Sequence, residues 1–540
     1  MNRLNQPELT VTQTLSDEMG TTKSRMRKVI LFIVIVLSFG IDAVAQKDTV
    51  VVIGKKMDGT ALSVPALHFD KSVFTFSISD DTNHVCISYR NLINKGKQWS
   101  FDGEISYIKL KERQELWRKP IDYRTARAIS TDKGVLTYGD SNIFYSDSGG
   151  VELWRNTNSL CGMDNSLNLI YGYNTSNPNN LCAYRLADGS QLWSAKINGE
   201  YGWSDDISIS PSQKLIIADN LYRLNLSTGA LLQYPLHVVK SDTRGSFLEG
   251  LFMAASGFGV VMGKTPFYGT PMMNNRNVIG GMVSNIYKKD SLYYIADCDK
   301  VSCIDTLFHQ KWTSKLPEGL ASHSKLFVNG DVLYMVNFGY GLKNNSYRVK
   351  SGMPFFAAFD IHTGNEIYLN VLSSKKKMVN GFVRTDESFY ILFENEIVQM
   401  NFADTTYSTL NWNIKKYGKL NQLITGDIYV IDSIKGNFTS IAFDGVNLPV
   451  CSNNGHVYVL DKKLKIKADY PRNLIYMPSI TMKDYSFVSQ DEDVWLIDKL
   501  GLPIIHFDML LRHAVLYEKK LVLMTVNNDL IYIDLDKALK

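Results

Sequence analysis

Cys182-Ala-Tyr-Arg-Leu-Ala-Asp-Gly-Ser-Gln-Leu-Trp193 decides the fold, because it joins an apolar strand, a tight polar turn and a second strand that ends in an aromatic residue. The pattern recurs most clearly in Ile143-Phe-Tyr-Ser-Asp-Ser-Gly-Gly-Val-Glu-Leu-Trp154, Leu221-Tyr-Arg-Leu-Asn-Leu-Ser-Thr-Gly-Ala-Leu-Leu-Gln-Tyr234 and Ala357-Ala-Phe-Asp-Ile-His-Thr-Gly-Asn-Glu-Ile-Tyr368. Trp117, Trp154, Trp193 and Tyr234 follow one another at intervals of 37, 39 and 41 residues. A period of roughly forty residues is typical of four-stranded β-propeller blades.

The turns and the aromatic residues of this repeat have separate physical roles. Asp188-Gly189 supplies the positive φ of a two-residue hairpin turn, and glycines at 229 and 364 suit slightly longer turns. The aromatic residue that follows lies on the outer strand, where its ring can wedge against the neighbouring blade. A single blade cannot bury both faces of its sheet, so the sequence predicts blades that pack side by side in a ring.

The rest of the chain predicts an all-β protein. Its apolar runs are short, rich in β-branched and aromatic residues, and separated by Asn, Asp and Gly. Ten candidate hairpins can be counted, and propellers usually have about 4–8 blades. We therefore predict a single propeller of eight four-stranded blades, with some hairpins as insertions; seven blades, ten blades or two smaller rings are the alternatives. Thr49 to Ile53 is predicted to close the ring by pairing with the last strand, Leu530 to Leu535.

The N-terminus has the layout of a secretory signal peptide. Basic residues at 25, 27 and 28 precede an apolar run, and Ala43-Val-Ala45 forms a small-x-small cleavage site. The thirteen residues from Val29 to Ile41 fall short of the ~20 that span a bilayer as a helix, which disfavours a membrane anchor. Met26 is an alternative start. We predict a signal peptide over residues 1–45, a propeller domain over residues 46–540, and an exported protein, periplasmic or extracellular, without an integral membrane segment.

Charge and cysteine content exclude some classes of function. With 58 basic and 54 acidic residues the chain is nearly neutral, which argues against a nucleic-acid partner. Six cysteines in a chain of 540 residues are too few for a disulfide framework, and most are predicted to be small buried residues. Two pairs are close enough in sequence for a local disulfide bond: Cys161 with Cys182, and Cys298 with Cys303.

At the level of these hairpins, the chain resembles the quinoprotein-like propeller repeat family. The repeat of that family reads approximately Ala-x-Asp-x-x-Thr-Gly-x-x-x-Trp, and the best match is Ala358-Phe-Asp-Ile-His-Thr-Gly-Asn-Glu-Ile-Tyr368. The resemblance covers most of Tyr107 to Leu535 and implies a mode of packing rather than a chemistry. The family includes pyrroloquinoline quinone (PQQ) dehydrogenases, the scaffold propeller of the outer-membrane protein assembly machinery, and exported proteins without known activity.

The dehydrogenase branch of that family implies adjacent cysteines at the cofactor, a tryptophan stacked on the quinone and a calcium site. This sequence has no adjacent cysteines. Trp203 is a candidate for stacking, and Asp205 or Asp206 for calcium, but a polar loop at the entry of a blade explains the same residues. We therefore expect no cofactor, and we predict no catalytic or metal-binding residues.

Two segments are the candidate partner-binding loops, Asn198 to Asp206 and Lys264 to Asn277, because both are rich in aromatic, Gly and Asn residues. The candidate contact residues are Tyr201, Trp203, Asp205, Asp206, Phe267, Tyr268, Asn274, Asn275 and Arg276. The predicted function is that of an exported, non-enzymatic scaffold that binds a protein partner through loops on one face. Carbohydrate binding or processing is the alternative, given 29 Tyr and 8 Trp, and a PQQ-dependent dehydrogenase is a more distant one.

Overall fold

A computed structural model describes residues 47–139, 143–174, 177–198, 202–241, 278–343, 347–372, 377–402, 406–432, 436–481, 484–517 and 520–538. Within these ranges the protein is all-β, with repeated four-stranded antiparallel sheets that fit a β-propeller. The predicted signal peptide and the segment Lys264 to Asn277 lie outside the described residues. In the described part of the chain, no helix is long and apolar enough to cross a membrane.

Two N-terminal strands precede the first four sheets. They are β1 (Lys47–Lys56) and β2 (Ala61–His68). Sheet 1 contains β3 (Val73–Ile78), β4 (His84–Ile93), β5 (Gln98–Lys109) and β6 (Gln114–Asp122). Sheet 2 contains β7 (Arg127–Thr131), β8 (Gly134–Tyr138), β9 (Ile143–Asp147) and β10 (Glu152–Asn156). Sheet 3 contains β11 (Asn158–Asp164), β12 (Leu169–Asn174), β13 (Asn177–Arg185) and β14 (Gln191–Lys196). Sheet 4 contains β15 (Asp205–Ser210), β16 (Gln213–Ile217), β17 (Asn220–Asn225) and β18 (Leu231–Pro235).

The next four sheets include two inserted hairpins. A short pair, β19 (Lys240–Ser241) and β20 (Val278–Ile279), precedes sheet 5, which contains β21 (Tyr287–Lys289), β22 (Leu292–Ala296), β23 (Lys300–Asp305) and β24 (Gln310–Lys315). Sheet 6 contains β25 (Ser324–Asn329), β26 (Val332–Asn337), β29 (Phe355–Asp360) and β30 (Glu366–Val371), with the hairpin β27 (Tyr340–Lys343) and β28 (Tyr347–Lys350) inserted. Sheet 7 contains β31 (Gly381–Arg384), β32 (Ser388–Leu392), β33 (Glu396–Asn401) and β34 (Tyr407–Asn411), followed by the short helix α1 (Ile414–Tyr417). Sheet 8 contains β35 (Leu420–Leu423), β38 (Leu448–Ser452), β39 (Val457–Leu460) and β40 (Ile466–Tyr470), with the hairpin β36 (Ile428–Ile431) and β37 (Phe438–Ile441) inserted.

The last strands belong to one eleven-stranded sheet, in which two further four-stranded units can be recognised. Sheet 9 contains β41 (Ile475–Thr481), β42 (Tyr485–Gln490), β43 (Asp493–Asp498) and β44 (Pro503–Phe507). Sheet 10 contains β45 (Leu511–Tyr517), β46 (Lys520–Thr525), β47 (Asp529–Asp534) and the N-terminal strand β2, and the helix α2 (Leu535–Ala538) follows β47.

The N-terminal strand that completes sheet 10 is not the predicted one. β2 pairs with β47, with Ala66 opposite Ile531, whereas Thr49 to Ile53 lies in β1, one strand further out. β1 also pairs with β44 of sheet 9 at Gly54 to Lys56. The prediction missed β2 because Ala61 to His68 contains Pro65, and β1 has the more apolar run.

Indole rings hold neighbouring sheets together in the predicted way. Trp193 on β14 is buried, and its Nε1 donates to the carbonyl of Leu226 in the β17–β18 turn of sheet 4, 2.7 Å away. Gly229 in that turn has a φ of 73°, and a Cβ there would lie 2.8 Å from the ring. Trp154 repeats the arrangement with Leu186 and Gly189 of sheet 3, and Trp312 with Ile361 and Gly364 of sheet 6.

Carboxylate and amide side chains close the turns between third and fourth strands. Asp188 Oδ1 accepts a hydrogen bond from the backbone N–H of Ser190, and Asn225 accepts from Ser227 and Thr228 at the equivalent turn of sheet 4. Hydrogen bonds from Ser190 lower the pKa of Asp188 to about 2. These side chains fix the turns on which the indole rings rest.

The hydrophobic core consists of clusters between neighbouring sheets. Each sheet from 1 to 9 contributes buried residues to a cluster that also contains buried residues of the next sheet. Between sheets 8 and 9, the inserted hairpin β36–β37 lies in the clusters that join the two sheets. In the last cluster, Leu67, Val522 and Leu530 of sheet 10 pack with Val73 and Val85 of sheet 1. The imidazole of His513 also lies 2.9 Å from the carbonyl oxygen of Phe74, so the last sheet contacts the first through both apolar and polar groups.

Antiparallel order gives every sheet two different ends. At one end, which we call the connection end, the first strand starts, the second and third strands are joined, and the fourth strand ends. The opposite end, which we call the turn end, holds turns such as Leu186 to Gly189 between the third and fourth strands. The first predicted partner-binding segment, Asn198 to Asp206, leads from the fourth strand of sheet 3 to the first strand of sheet 4, so its described residues lie at the connection end.

All six cysteines lie in the described part of the chain and have free thiols. Neither Cys161 with Cys182 nor Cys298 with Cys303 forms a disulfide bond. Burial raises the pKa of the Cys86 and Cys298 thiols to about 12, so these residues pack as small apolar groups.

The Gly229→Ala substitution tests the contact between the ring and the turn. We expect it to destabilise the protein by roughly 2–4 kcal/mol, because the new methyl group meets both a positive φ and the ring of Trp193. Gly59→Ala is the matched control, since Gly59 has a φ of 83° and open space around it; its cost is about 1–2 kcal/mol. Urea unfolding midpoints measure both variants, and equal losses would contradict the role of the ring.

Candidate functional site

A cavity with both polar and apolar walls lies at the connection end, where sheets 4, 5 and 6 meet. Its volume is about 270 Å³. It is lined by Ser204, Gly281, Val283, Ser284, Asn285, His323, Ser324, Lys325 and Leu342. Ser204 belongs to the first predicted loop, and Gly281 follows the second predicted segment closely in sequence. The cavity therefore includes one residue of the first segment in which partner binding was expected.

The segment just before the first strand of sheet 5 contacts the first strand of sheet 6 and shapes this cavity. Ser284 and Ser324 form a parallel bridge. The Asn285 side chain donates from Nδ2 to the carbonyl of Leu326 (3.2 Å) and accepts the Leu326 N–H at Oδ1 (2.7 Å). A single amide side chain thereby replaces a pair of backbone hydrogen bonds and fixes the two strands side by side.

Ser284 and Ser324, two of the three serines that line the cavity, differ in the hydrogen bonds of their hydroxyls. Ser284 Oγ donates to the carbonyl of Asn285 (2.7 Å) and accepts from the N–H of Ala296 (2.9 Å). Ser324 is 2% exposed, and its Oγ has no hydrogen-bond partner among the described residues. A buried hydroxyl without a partner costs about 1–3 kcal/mol, so a ligand that bonds to Ser324 would recover part of that energy.

His323 forms one wall of the cavity. Its Nδ1 lies 3.2 Å from the carbonyl oxygen of Gly281, which requires the proton on Nδ1. The ring packs against Phe338 and Tyr340, with centroids 5.5 and 5.3 Å away. Burial lowers the pKa of His323, and the charges of Arg348 and Lys325 lower it further. The imidazole is therefore neutral and oriented near pH 7, with its Nδ1 proton donated to Gly281 and its Nε2 in the acceptor form.

The inserted hairpin β27–β28 covers one side of the site. Leu342 and Gly280 exchange two backbone hydrogen bonds, both 2.8 Å long, so the hairpin extends the segment that leads into sheet 5. Tyr340 is buried, and the exposed Arg348 stacks over its ring at 4.7 Å. Arg348 and Lys325 give this edge of the site a positive charge.

The described candidate residues of the first loop have structural contacts. Trp203 is 5% exposed, and its Nε1 lies 3.2 Å from the hydroxyl oxygen of Tyr173 between sheets 3 and 4. The buried ring is not placed to stack on a sugar or a quinone. Asp206 forms an ion pair with Lys214 at 2.9 Å, and the backbone of Asp205 pairs with Ile217.

The other candidate residues, Tyr201, Phe267, Tyr268, Asn274, Asn275 and Arg276, lie outside the described residues. Their partner-binding role stays a prediction. Sequence reasoning missed Asn285, His323 and Ser324, and the signal that was present is a run of small polar residues directly before an apolar strand. In the described ranges, no group of three or more His, Cys, Asp or Glu side chains is arranged to hold a metal ion.

No family model matches the chain, and no curated protein matches it. The similar solved structures include BamB from Moraxella catarrhalis, which has 12% identity, covers 75% of this chain and 95% of that chain, and has a TM-score of 0.31. The computationally designed Ika8 protein has 10% identity, 70% and 95% coverage, and a TM-score of 0.30. KlHsv2 with loop 6CD replaced by a Gly-Ser linker has 6% identity, 75% and 100% coverage, and a TM-score of 0.30. The propeller assignment rests on the sheets themselves, and membership of the quinoprotein-like family stays a prediction.

The pH dependence of stability tests the environment of His323. Because its folded pKa lies below the ordinary value near 6.5, neutral His323 contributes stability above that pH, and the contribution is lost as the pH falls through and below it. We expect the thermal midpoint of His323→Gln to decrease less than that of the wild type between about pH 7 and pH 5. The exposed His362→Gln is the control. Identical pH profiles for wild type and His323→Gln would contradict a half-buried imidazole that is neutral in the folded state.

Proposed function

We propose that this protein is an exported β-propeller that binds a protein partner through the connection end of its sheets. The observation that supports this proposal is the cavity between sheets 4, 5 and 6, with a buried hydroxyl at Ser324 that has no partner among the described residues and the oriented imidazole of His323 in its wall. Loops held by a rigid scaffold are the usual place for binding residues. The layout of residues 1–45 supports export to the periplasm or the cell surface.

We also propose that the sheets form one ring of ten blades, in place of the eight expected from the sequence. Ten four-stranded units occur in the described residues when the two units of the eleven-stranded sheet are counted. Shared clusters between consecutive sheets, and between sheets 10 and 1, support this count. Nine of the ten hairpins recognised in the sequence form the third and fourth strands of a sheet. The tenth supplies only a third strand, β47, and β2 is the fourth strand of that sheet.

The positive edge of the site indicates the chemistry of the partner. Lys325 and Arg348 are exposed on the first strand of sheet 6 and on the β27–β28 hairpin. An acidic partner segment that also hydrogen-bonds to Ser324 would satisfy both features. Charge complementarity of this kind accelerates association and fixes orientation.

Site-specific photo-crosslinking tests the face that is used. A crosslinker in place of Arg348 at the connection end should give a protein adduct, whereas one in place of Lys463, in a turn-end loop, should give none. The Lys325→Glu substitution should reduce the Arg348 adduct, because it reverses a positive charge at the same end. Adducts only at Lys463 would show that the other end binds the partner and would overturn the proposal.

A further inference from the structure

The N-terminal strand β1 has an open edge over much of its length. One edge of β1 pairs with β2 from Lys47 to Lys55, whereas β44 pairs with the opposite edge only at Gly54 to Lys56. Within the described residues, no strand pairs with that opposite edge from Asp48 to Val52. An edge strand of this kind offers its backbone N–H and C=O groups to another extended chain.

The position of Pro65 in β2 shows which backbone groups of β1 are open. Val50 lies opposite Pro65, and proline has no N–H, so these two residues form a non-hydrogen-bonded pair. The N–H and C=O of Val50 therefore point away from β2. Those of Asp48 and Val52 point the same way, because alternate residues of a strand direct their backbone groups to the same edge.

The open stretch of β1 also lacks the charges that protect many edge strands. Thr49-Val-Val-Val-Ile53 is β-branched throughout and uncharged, and Val50 and Val52 are 74% and 54% exposed. By contrast, the outer strand β10 of sheet 2 contains Glu152 and Arg155, and such charges discourage pairing with another strand. Both the backbone and the side chains of this stretch of β1 therefore favour a further strand.

We propose that the open edge of β1 pairs antiparallel with β1 of a second copy of this chain. A two-fold axis at Val50 places this residue opposite its own copy, and Asp48 opposite Val52 of the other chain. In this register every open N–H meets an open C=O, so about six backbone hydrogen bonds join the two strands. Directly opposite residues share one face of a sheet, so the exposed Val50 side chain gains an apolar partner.

The length of the open edge selects a strand that begins close to its own N-terminus. The edge ends at Ile53, whose carbonyl already accepts the N–H of Asp508 after β44. In the two-fold register Lys47 of the copy lies opposite Ile53, so a chain extending further would meet β44. The predicted cleavage after Ala45 leaves only Gln46 before β1, and the second copy therefore fits. Pairing of this kind requires that cleavage, but it does not require the protein partner proposed above.

Sedimentation velocity of the exported chain, with its first residue checked by mass spectrometry, tests the pairing. The stretch from Asp48 to Val52 is far shorter than the roughly 20–30 residues a side of a standard interface. We therefore expect a weak dimer, whose fraction rises between about 1 and 100 μM protein. A chain that begins at Gln46 and stays monomeric throughout this range would overturn the proposal. A longer N-terminus would also overturn it, because that chain would meet β44.

Val50→Lys tests whether β1 forms the interface. It places two like charges on the two-fold axis, and we expect dimerisation to weaken at least about tenfold with little change in the thermal midpoint. Val446→Lys is the matched control, since Val446 is 50% exposed in the loop before β38 of sheet 8. Its dimerisation should equal that of the wild type. Unchanged dimerisation of Val50→Lys would place the interface elsewhere and overturn the proposal.

A mixture of two variants tests whether β1 meets its own copy. Val50→Lys and Val50→Glu chains should each dimerise poorly alone and associate when mixed, because opposite charges then lie on the axis. Native mass spectrometry distinguishes the mixed dimer when one of the two chains is isotope-labelled. Wild-type dimers without enrichment of the mixed dimer would overturn the two-fold pairing at Val50.

Discussion

The contact of an indole ring with the turn of the next sheet is the constraint on which this fold depends. A four-stranded sheet cannot bury both of its faces alone, and each face is buried only when a neighbour packs on it. Trp193 illustrates the solution: its ring rests on Gly229, and its N–H satisfies the carbonyl of Leu226. An aromatic side chain buries roughly 200 Å², which at about 25 cal/mol per Å² corresponds to about 5 kcal/mol per contact. The packing between sheets therefore depends on the turn conformation and on the strand register together.

Where this contact is absent, other parts of the chain fill the gap. Between sheets 8 and 9, the inserted hairpin contributes Ile428, Val430 and Ile441 to a shared cluster. Between sheets 9 and 10, β1 contributes Ile53 against Ile505. Because these other contacts replace the indole contact, the sequence repeat becomes weaker toward the C-terminus while the four-stranded sheets are kept.

The sequence was most informative where one residue type has one physical role. Glycines at 189, 229 and 364 have the expected positive φ, and the aromatic residues after them pack on the next sheet. It was least informative where contacts join distant segments. The local sequence favours β1 over β2 as the partner of β47, because β1 has the more apolar run, yet β2 makes the pairing. Ser324 lies beside Ser284, a contact between segments that no local pattern indicates. Trp203, which the sequence suggested as a partner-contact residue, is instead buried in the cluster that contains Tyr173.

The pairing of β2 with β47 also governs the timing of assembly. His68 and Asp529 lie 2.8 Å apart in space but 461 residues apart in sequence. A growing polypeptide cannot make this contact until its final segment has been synthesised, and contacts of such high sequence separation form slowly. The incomplete chain would present the unpaired edge of β2 and the bare flank of sheet 1 to solvent. A truncation of a few dozen C-terminal residues should therefore favour aggregation far more than its small size suggests.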